Sequence, residues 1–153
     1  MAREVLFRVE DRSPVLDRMA ELADGSGWMV FDPFVAEDDV PPPAAFGGIF
    51  TAKGPAAPEL SWVPGDPSGR RREPLAVGIR HGAGPKAEVR LADAGVPVPD
   101  GWYVIQDNPR RGFVAQVPDT CTDAEVLDWL LRAAAVLATV PLSGEWRVLI
   151  HFR

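Results

Sequence analysis

The 153-residue chain has a formal net charge of −6, which argues against non-specific nucleic-acid binding because such binding needs a basic face that displaces counterions from phosphates. Its longest apolar run, residues 133–142, contains Pro141 and is far shorter than the ~20 residues of a membrane-spanning helix. Cys121 is the single cysteine and excludes an internal disulfide, and the charged first ten residues are unlike a secretory signal. We therefore expect one cytoplasmic domain, 1–153, with no nucleic-acid and no membrane partner.

The first two elements have clear sequence patterns. Residues 2–10 alternate between apolar and charged side chains, which predicts a half-buried strand. Ser13 is a typical helix N-cap, Pro14 suits the first helical position and Gly25 suits the position after the last turn. The apolar stripe predicted for this helix consists of Leu16, Met19, Ala20 and Ala23. Residues 27–33 then predict a second strand.

The region at about 34–74 is rich in proline and glycine, and we interpret it mainly as a long loop. Eight prolines between 41 and 74 cannot donate ladder hydrogen bonds. Two short segments, residues 48–52 and 59–63, remain as possible strands. Residues 65–73 predict an exposed loop tip. Long loops in compact domains are often functional.

The segment 74–96 predicts a strand that runs into a glycine turn, after which two interpretations compete. Residues 87–92 alternate as a strand would. Against this, Gly84 and Pro85 suit a helix start, and Gly95 followed by Val96 suits a C-terminal glycine and its hydrophobic contact. We prefer a short helix over 85–94. Residues 102–107 and 112–117 then predict a hairpin, because Asn108, Pro109 and Gly112 supply turn residues.

The clearest predicted element is a helix that begins at Thr122, since Thr122 and Glu125 have the spacing of a capping box, and Pro141 ends the pattern. This helix is apolar around far more than the ~100° that covering one sheet face requires. Either the rest of the chain covers its flanks, which we favour, or it forms a subunit interface. The last segment, 145–153, alternates as a strand.

These elements predict an α+β fold: a mainly antiparallel sheet of about five to seven strands with two or three helices packed on one face. The first and last strands are candidates for neighbours in this sheet.

No catalytic motif is present, so no catalytic residue is predicted, and an enzymatic role is disfavoured. His81 and His151 are far apart, and the chain has no Cys/His cluster with ligand spacing and no G-x-S-x-G elbow. We therefore predict no metal and no cofactor. His151 is expected at the surface or rim of the sheet, and Cys121 is expected to be incidental.

The remaining candidate is an anion-binding site built from two segments. Residues 68–112 carry eight basic and five acidic side chains in an otherwise acidic chain. Backbone amides of a glycine-rich turn at a helix start favour an anion, and the planar guanidinium of arginine pairs well with carboxylates and phosphates. The predicted ligand-binding residues are His81, Gly82, Gly84, Lys86, Arg110 and Arg111. The alternative is that the 107–112 hairpin tip is solvated or pairs with itself.

Three functional hypotheses follow. The first is a non-catalytic binding or accessory protein that acts through protein–protein contacts, with a homodimer as one version, since five tryptophans and a proline-rich loop can present side chains to a partner. The second is an anionic small-molecule binding protein or enzyme that uses the predicted site. The third is an immunity or self-resistance protein, which fits the acidic charge balance.

Overall fold

The computed structural model describes residues 2–36, 54–65 and 74–153. The possible strand at 48–52 and nearly all of the predicted loop tip at 65–73 lie outside these residues. The elements in chain order are β1 (Ala2–Arg8), α1 (Ser13–Glu21), β2 (Gly27–Val35), β3 (Glu59–Val63), β4 (Leu75–Arg80), α2 (Ala87–Asp93), β5 (Tyr103–Asn108), β6 (Gly112–Val117), α3 (Asp123–Leu137) and β7 (Leu142–Phe152).

All seven of these strands belong to one antiparallel sheet, in the order β1-β7-β2-β3-β4-β6-β5. The α+β class is therefore confirmed. The first and last strands are neighbours, with Val5 opposite Val148 and Phe7 opposite Trp146. Strands β1 and β5 form the two edges of the sheet.

The core side of the sheet is formed largely by alternate residues of β2, β3, β6 and β7, which are buried. Directly opposed pairs such as Phe31 and Val148, or Ile79 and Phe113, are all buried. Because opposed residues of an antiparallel pair project to the same side, these buried side chains share one face. The same hydrophobic cluster contains buried side chains of all three helices, including Met19, Leu91 and Leu130.

Helix α3 is the most deeply buried helix, and its start agrees with the prediction. The Thr122 hydroxyl oxygen accepts a hydrogen bond from the Glu125 amide at 3.2 Å. Eight of its side chains are buried within this one chain: Val126, Leu127, Trp129, Leu130, Leu131, Ala133, Ala134 and Leu137. Its wide apolar surface is thus covered internally, as favoured above, and gives no argument for a subunit interface.

Helix α1 corrects the sequence prediction at both ends. Ser13 is not the N-cap; it is the first helical residue, and the N-cap is Arg12, which makes no capping side-chain hydrogen bond. Instead, the Ser13 amide donates to the Asp11 carboxylate at 3.4 Å. The helix ends at Glu21, so Gly25 lies in the following turns with φ +84°.

The predicted apolar stripe of α1 was partly wrong. The buried side chains in and just after the helix are Val15, Met19 and Leu22, whereas Ala20 and Ala23 are exposed. The buried stripe is rotated towards Val15 and Leu22, because these larger apolar side chains bury more surface than Ala20 and Ala23.

Helix α2 confirms the helical interpretation of this segment, although it begins at Ala87 and not at Pro85. Its C-terminus is a Schellman motif: the Val96 amide donates to the Leu91 carbonyl at 2.8 Å, and the Gly95 amide donates to the Ala92 carbonyl at 3.1 Å. Gly95 has the left-handed φ of +81° that this motif requires. None of the helices in the described part of the chain is long and apolar enough to cross a membrane.

Candidate functional site

The predicted anion site draws on two segments that the fold brings to the same end of the sheet. The glycine turn follows β4, and the 107–112 hairpin joins β5 to β6, which pairs with β4. Gly112 lies so close to the end of β4 that a Cβ there would be 2.6 Å from the Ile79 carbonyl oxygen. The contact between the segments is therefore set by strand pairing.

The residue that joins the two segments is Asp107, which was not among the predicted site residues. Its carboxylate oxygens accept hydrogen bonds from the amides of Ala87, at 3.0 Å, and Glu88, at 3.1 Å. These amides open α2 and have no intrahelical acceptor, as is general for the first turn of a helix. Asp107 therefore acts as a remote N-cap for a helix that lies 20 residues earlier in the chain.

This cap has a direct consequence for anion binding at the glycine turn. The two amides that would attract an anion already donate to a carboxylate, and a second negative charge beside Asp107 would be repelled. The basic residues of the predicted site, Lys86, Arg110 and Arg111, are exposed. Lys86 occupies the position before α2 in a left-handed conformation, with φ 60°.

The hairpin tip forms most of its polar contacts with itself. The Asn108 side-chain oxygen accepts hydrogen bonds from the amides of Arg110, at 2.8 Å, and Arg111, at 3.1 Å. The Gln106 side-chain amide donates to the carbonyls of Arg111, at 3.1 Å, and Gly112, at 3.2 Å. These bonds fix the turn backbone and leave the two guanidinium groups exposed.

His81 is almost completely buried, at 1% exposure, at the start of the glycine turn. Its Nδ1 accepts a hydrogen bond from the Ala83 amide at 3.2 Å, while its Nε2 has no hydrogen-bond partner in the structure as described. Burial lowers the pKa of His81; the Asp107 carboxylate acts to raise it, and the Arg90 guanidinium acts to lower it. The ring is thus neutral at pH 7 and faces the interior of the protein.

The segment that begins at Gly54 closes the other side of this turn. A Cβ on Gly54 would collide with the His81 carbonyl, and a Cβ on Gly82 would lie 2.8 Å from the Gly54 carbonyl oxygen. The backbones of the two segments are therefore in direct contact, which only glycine allows at this distance.

A sequence signal for the remote cap existed. The residues before α2, Gly84, Pro85 and Lys86, include none of the Ser, Thr, Asp or Asn side chains that normally cap a helix. A short helix without a local cap needs another acceptor for its first amides. An aspartate in a nearby hairpin is the kind of residue that can supply it.

A second candidate surface lies at the opposite edge of the sheet. Six residues of β1, β2 and β7 line a groove of about 280 Å³, which we call the Leu6–Phe34 groove: Leu6, Phe7, Arg8, Phe34, Glu145 and Trp146. Leu6 is 59% exposed and Phe34 is 44% exposed. Between these apolar side chains, Arg8 and Glu145 form an ion pair at 2.7 Å.

The other chemically distinctive residues have structural partners. The Cys121 sulfur accepts a hydrogen bond from the Trp102 indole at 3.4 Å. The His151 ring stacks on Trp28, with ring centroids 5.2 Å apart. Within residues 2–36, 54–65 and 74–153, no group of three or more His, Cys, Asp or Glu side chains is placed to hold a metal ion.

Comparison of the chain with protein-family models, with curated proteins and with solved structures gives no match.

Proposed function

We propose that this chain is a cytoplasmic, non-catalytic binding protein that contacts a partner protein through the Leu6–Phe34 groove. The observation that carries the proposal is the pairing of two large exposed apolar side chains, from β1 and β2, across a concave surface. Exposed apolar surface rimmed by polar groups is typical of protein-interaction sites. The Arg8–Glu145 ion pair supplies such polar groups inside the groove.

The distribution of the remaining apolar residues supports this choice. Of the five tryptophans, Trp62, Trp129 and Trp146 are buried, and Trp28 and Trp102 are half-buried. The tryptophans therefore serve mainly as core, and a partner has to bind elsewhere. We infer further that the three helices cover the buried face of the sheet, which leaves the Leu6 side of β1 open to a partner.

The test compares two double variants in a quantitative pull-down from the source cells. Leu6→Ser with Phe34→Ser removes the apolar walls of the groove. Tyr103→Ser with Ile105→Ser is the matched control, since it removes two exposed apolar side chains of β5 at the far edge, 67% and 50% exposed. We expect capture of a specific partner by the wild type and the control, and loss of capture by the groove variant. Equal capture by all three proteins contradicts the proposal.

The homodimer form of this hypothesis has its own test. Multi-angle light scattering at high protein concentration gives the mass in solution directly. A dimer that uses the groove dissociates in the Leu6→Ser, Phe34→Ser variant and persists in the Tyr103→Ser, Ile105→Ser variant. A wild-type monomer at every concentration removes the homodimer and leaves a different protein as the partner.

Binding of an anionic small molecule is the second candidate, favoured by the adjacency of the glycine turn and the hairpin. Its donors are the exposed side chains Lys86, Arg110 and Arg111, because the α2 amides are bonded to Asp107. A thermal-shift screen with inorganic phosphate and carboxylates tests it, since a ligand that binds only the folded state raises the melting temperature. Stabilisation that disappears in Arg110→Ala supports this function, and an unchanged melting temperature in all ligands contradicts it.

A further inference from the structure

The turn after β4 contains a buried base that also serves as a hydrogen-bond acceptor. Since the Ala83 amide donates to Nδ1 of His81, that nitrogen carries no proton, and the neutral ring has its proton on Nε2. Nε2 is buried and has no hydrogen-bond partner among the described residues. The imidazole is therefore held in one protonation state and one tautomer by the closed turn.

Proton uptake is incompatible with this arrangement for two reasons. A proton on Nδ1 removes the acceptor that the Ala83 amide uses. The resulting cation is buried, and among the described residues the Asp107 carboxylate on β5 favours it and the Arg90 guanidinium on α2 opposes it. Gly54 and Pro55, which pack against the turn, carry no titratable group. The closed turn therefore disfavours the charged ring, and opening of the turn favours proton uptake.

Of the structure that surrounds the His81 ring, the turn itself is the part that can open. Gly84 has φ +96° and Lys86 has φ 60°, so this stretch is held in left-handed conformations by its contacts. The contacts that hold it within the described part of the chain are the Ala83–His81 bond, the packing of Gly54, the Arg90 side-chain bond to the Pro85 carbonyl at 3.1 Å, and the Asp107 cap. The strand that precedes the turn, β4, belongs to the seven-stranded sheet.

We propose that His81 is a proton-sensitive switch for this turn: protonation at Nδ1 breaks the bond to the Ala83 amide and opens residues 81–86 while the sheet stays folded. The direction in pH follows from the closed state's lower proton affinity. The closed turn is fully stable above the ordinary histidine pKa of about 6.5 and loses stability as the pH falls below it. The loss ends at the lower pKa of the buried ring.

Amide hydrogen exchange measures this opening directly. After correction for the pH dependence of unprotected amides, we expect protection of the Ala83 amide to fall about tenfold for each pH unit below ~6.5. Protection of Ile150, in the centre of β7, stays constant over the same range. Constant protection of Ala83 from about pH 7.5 to about pH 5.5 overturns the proposal.

Two variants distinguish opening caused by protonation of His81 from other effects of low pH. In His81→Asn the side-chain oxygen can accept the same Ala83 amide bond but does not titrate, so the turn is expected to stay protected at low pH. In His151→Asn the other histidine is removed, and the wild-type pH dependence is expected to remain. An equal loss of protection in His81→Asn and in the wild type contradicts the proposal.

Nitrogen NMR of the wild-type imidazole supplies a test that does not depend on the folding of a variant. The expected spectrum at neutral pH shows an unprotonated Nδ1 and a protonated Nε2 for His81. Loss of that signature on acidification should coincide with loss of Ala83 protection. A protonated Nδ1 at neutral pH with a protected Ala83 amide overturns the assignment.

Discussion

Both edges of the sheet expose large apolar side chains, but they differ in the contacts that surround these side chains. At the β5 edge, Asp107 caps α2 and Asn108 holds the hairpin turn, so polar groups that resembled a binding site form internal contacts. At the β1 edge, Leu6 and Phe34 face solvent across a groove. A cluster of polar and basic residues in a sequence is weak evidence for a ligand when its backbone amides already donate to side chains of the same cluster. The proposed partner site is therefore at the other edge, where exposed apolar side chains line a groove.

The largest decrease in the free energy of unfolding is expected from a substitution that crowds the contact between the hairpin and β4. Gly112→Ala places a Cβ 2.6 Å from the Ile79 carbonyl oxygen at a residue with φ +92°. Gly144→Ala, in β7 near the groove, is a matched control with φ +91° and no atom within 4 Å of the added Cβ. Both variants bear the left-handed strain of about 1–2 kcal/mol, and only Gly112→Ala adds an overpacking cost of about 1–3 kcal/mol.

Urea denaturation of the two glycine variants measures this difference as a free energy of unfolding. Equal destabilisation by Gly112→Ala and Gly144→Ala contradicts the close packing of the hairpin against β4, and with it the geometry that lets Asp107 reach α2.

Removal of the Asp107 cap is expected to give the next largest decrease in the free energy of unfolding. Asp107→Ala leaves the Ala87 and Glu88 amides without an acceptor and is expected to lower the free energy of unfolding by about 1–2 kcal/mol. Asp107→Asn keeps one acceptor oxygen and should cost less. At the other edge, Arg8→Ala breaks an exposed ion pair and is expected to cost less than about 1 kcal/mol.

Chemical denaturation followed by circular dichroism ranks these three variants. An Asp107→Ala protein as stable as wild type would show that the carboxylate is free to act elsewhere, and the contrast between the two edges would be lost.

The smallest effect on stability is expected from the groove. The Leu6→Ser, Phe34→Ser variant changes two exposed side chains and should alter the free energy of unfolding by no more than about 0.5 kcal/mol per site. A much larger loss, measured by the same urea titration, means that these side chains support the fold. In that case their exposure is no argument for a partner.

Local patterns predicted most elements of the described fold. Alternation identified β1 and β7, Thr122 identified the start of α3, and Gly95 with Val96 favoured helix over strand for α2. These signals depend on neighbouring residues, so a sequence contains them directly. The start of α1 was missed because Arg12, which carries no short capping side chain, precedes the helix.

Long-range contacts account for what could not be predicted. The cap from Asp107 to α2 and the packing of Gly54 on His81 join segments that are distant in the chain, and they exist only after β4, β5 and β6 have paired. The burial of His81 follows from the same pairing. The Leu6–Phe34 groove depends on β1, β7 and β2 lying side by side, which alternation in each strand does not specify.

Site-specific photocrosslinking in the source cells shows which edge of the sheet contacts a partner, and so tests whether the partner binds at the Leu6–Phe34 groove. A photoreactive phenylalanine analogue is placed at Phe34 in one protein and at Tyr103 in another. We expect a covalent adduct of one defined mass from position 34 and none from position 103. An adduct from position 103 alone, or no adduct from position 34, contradicts it.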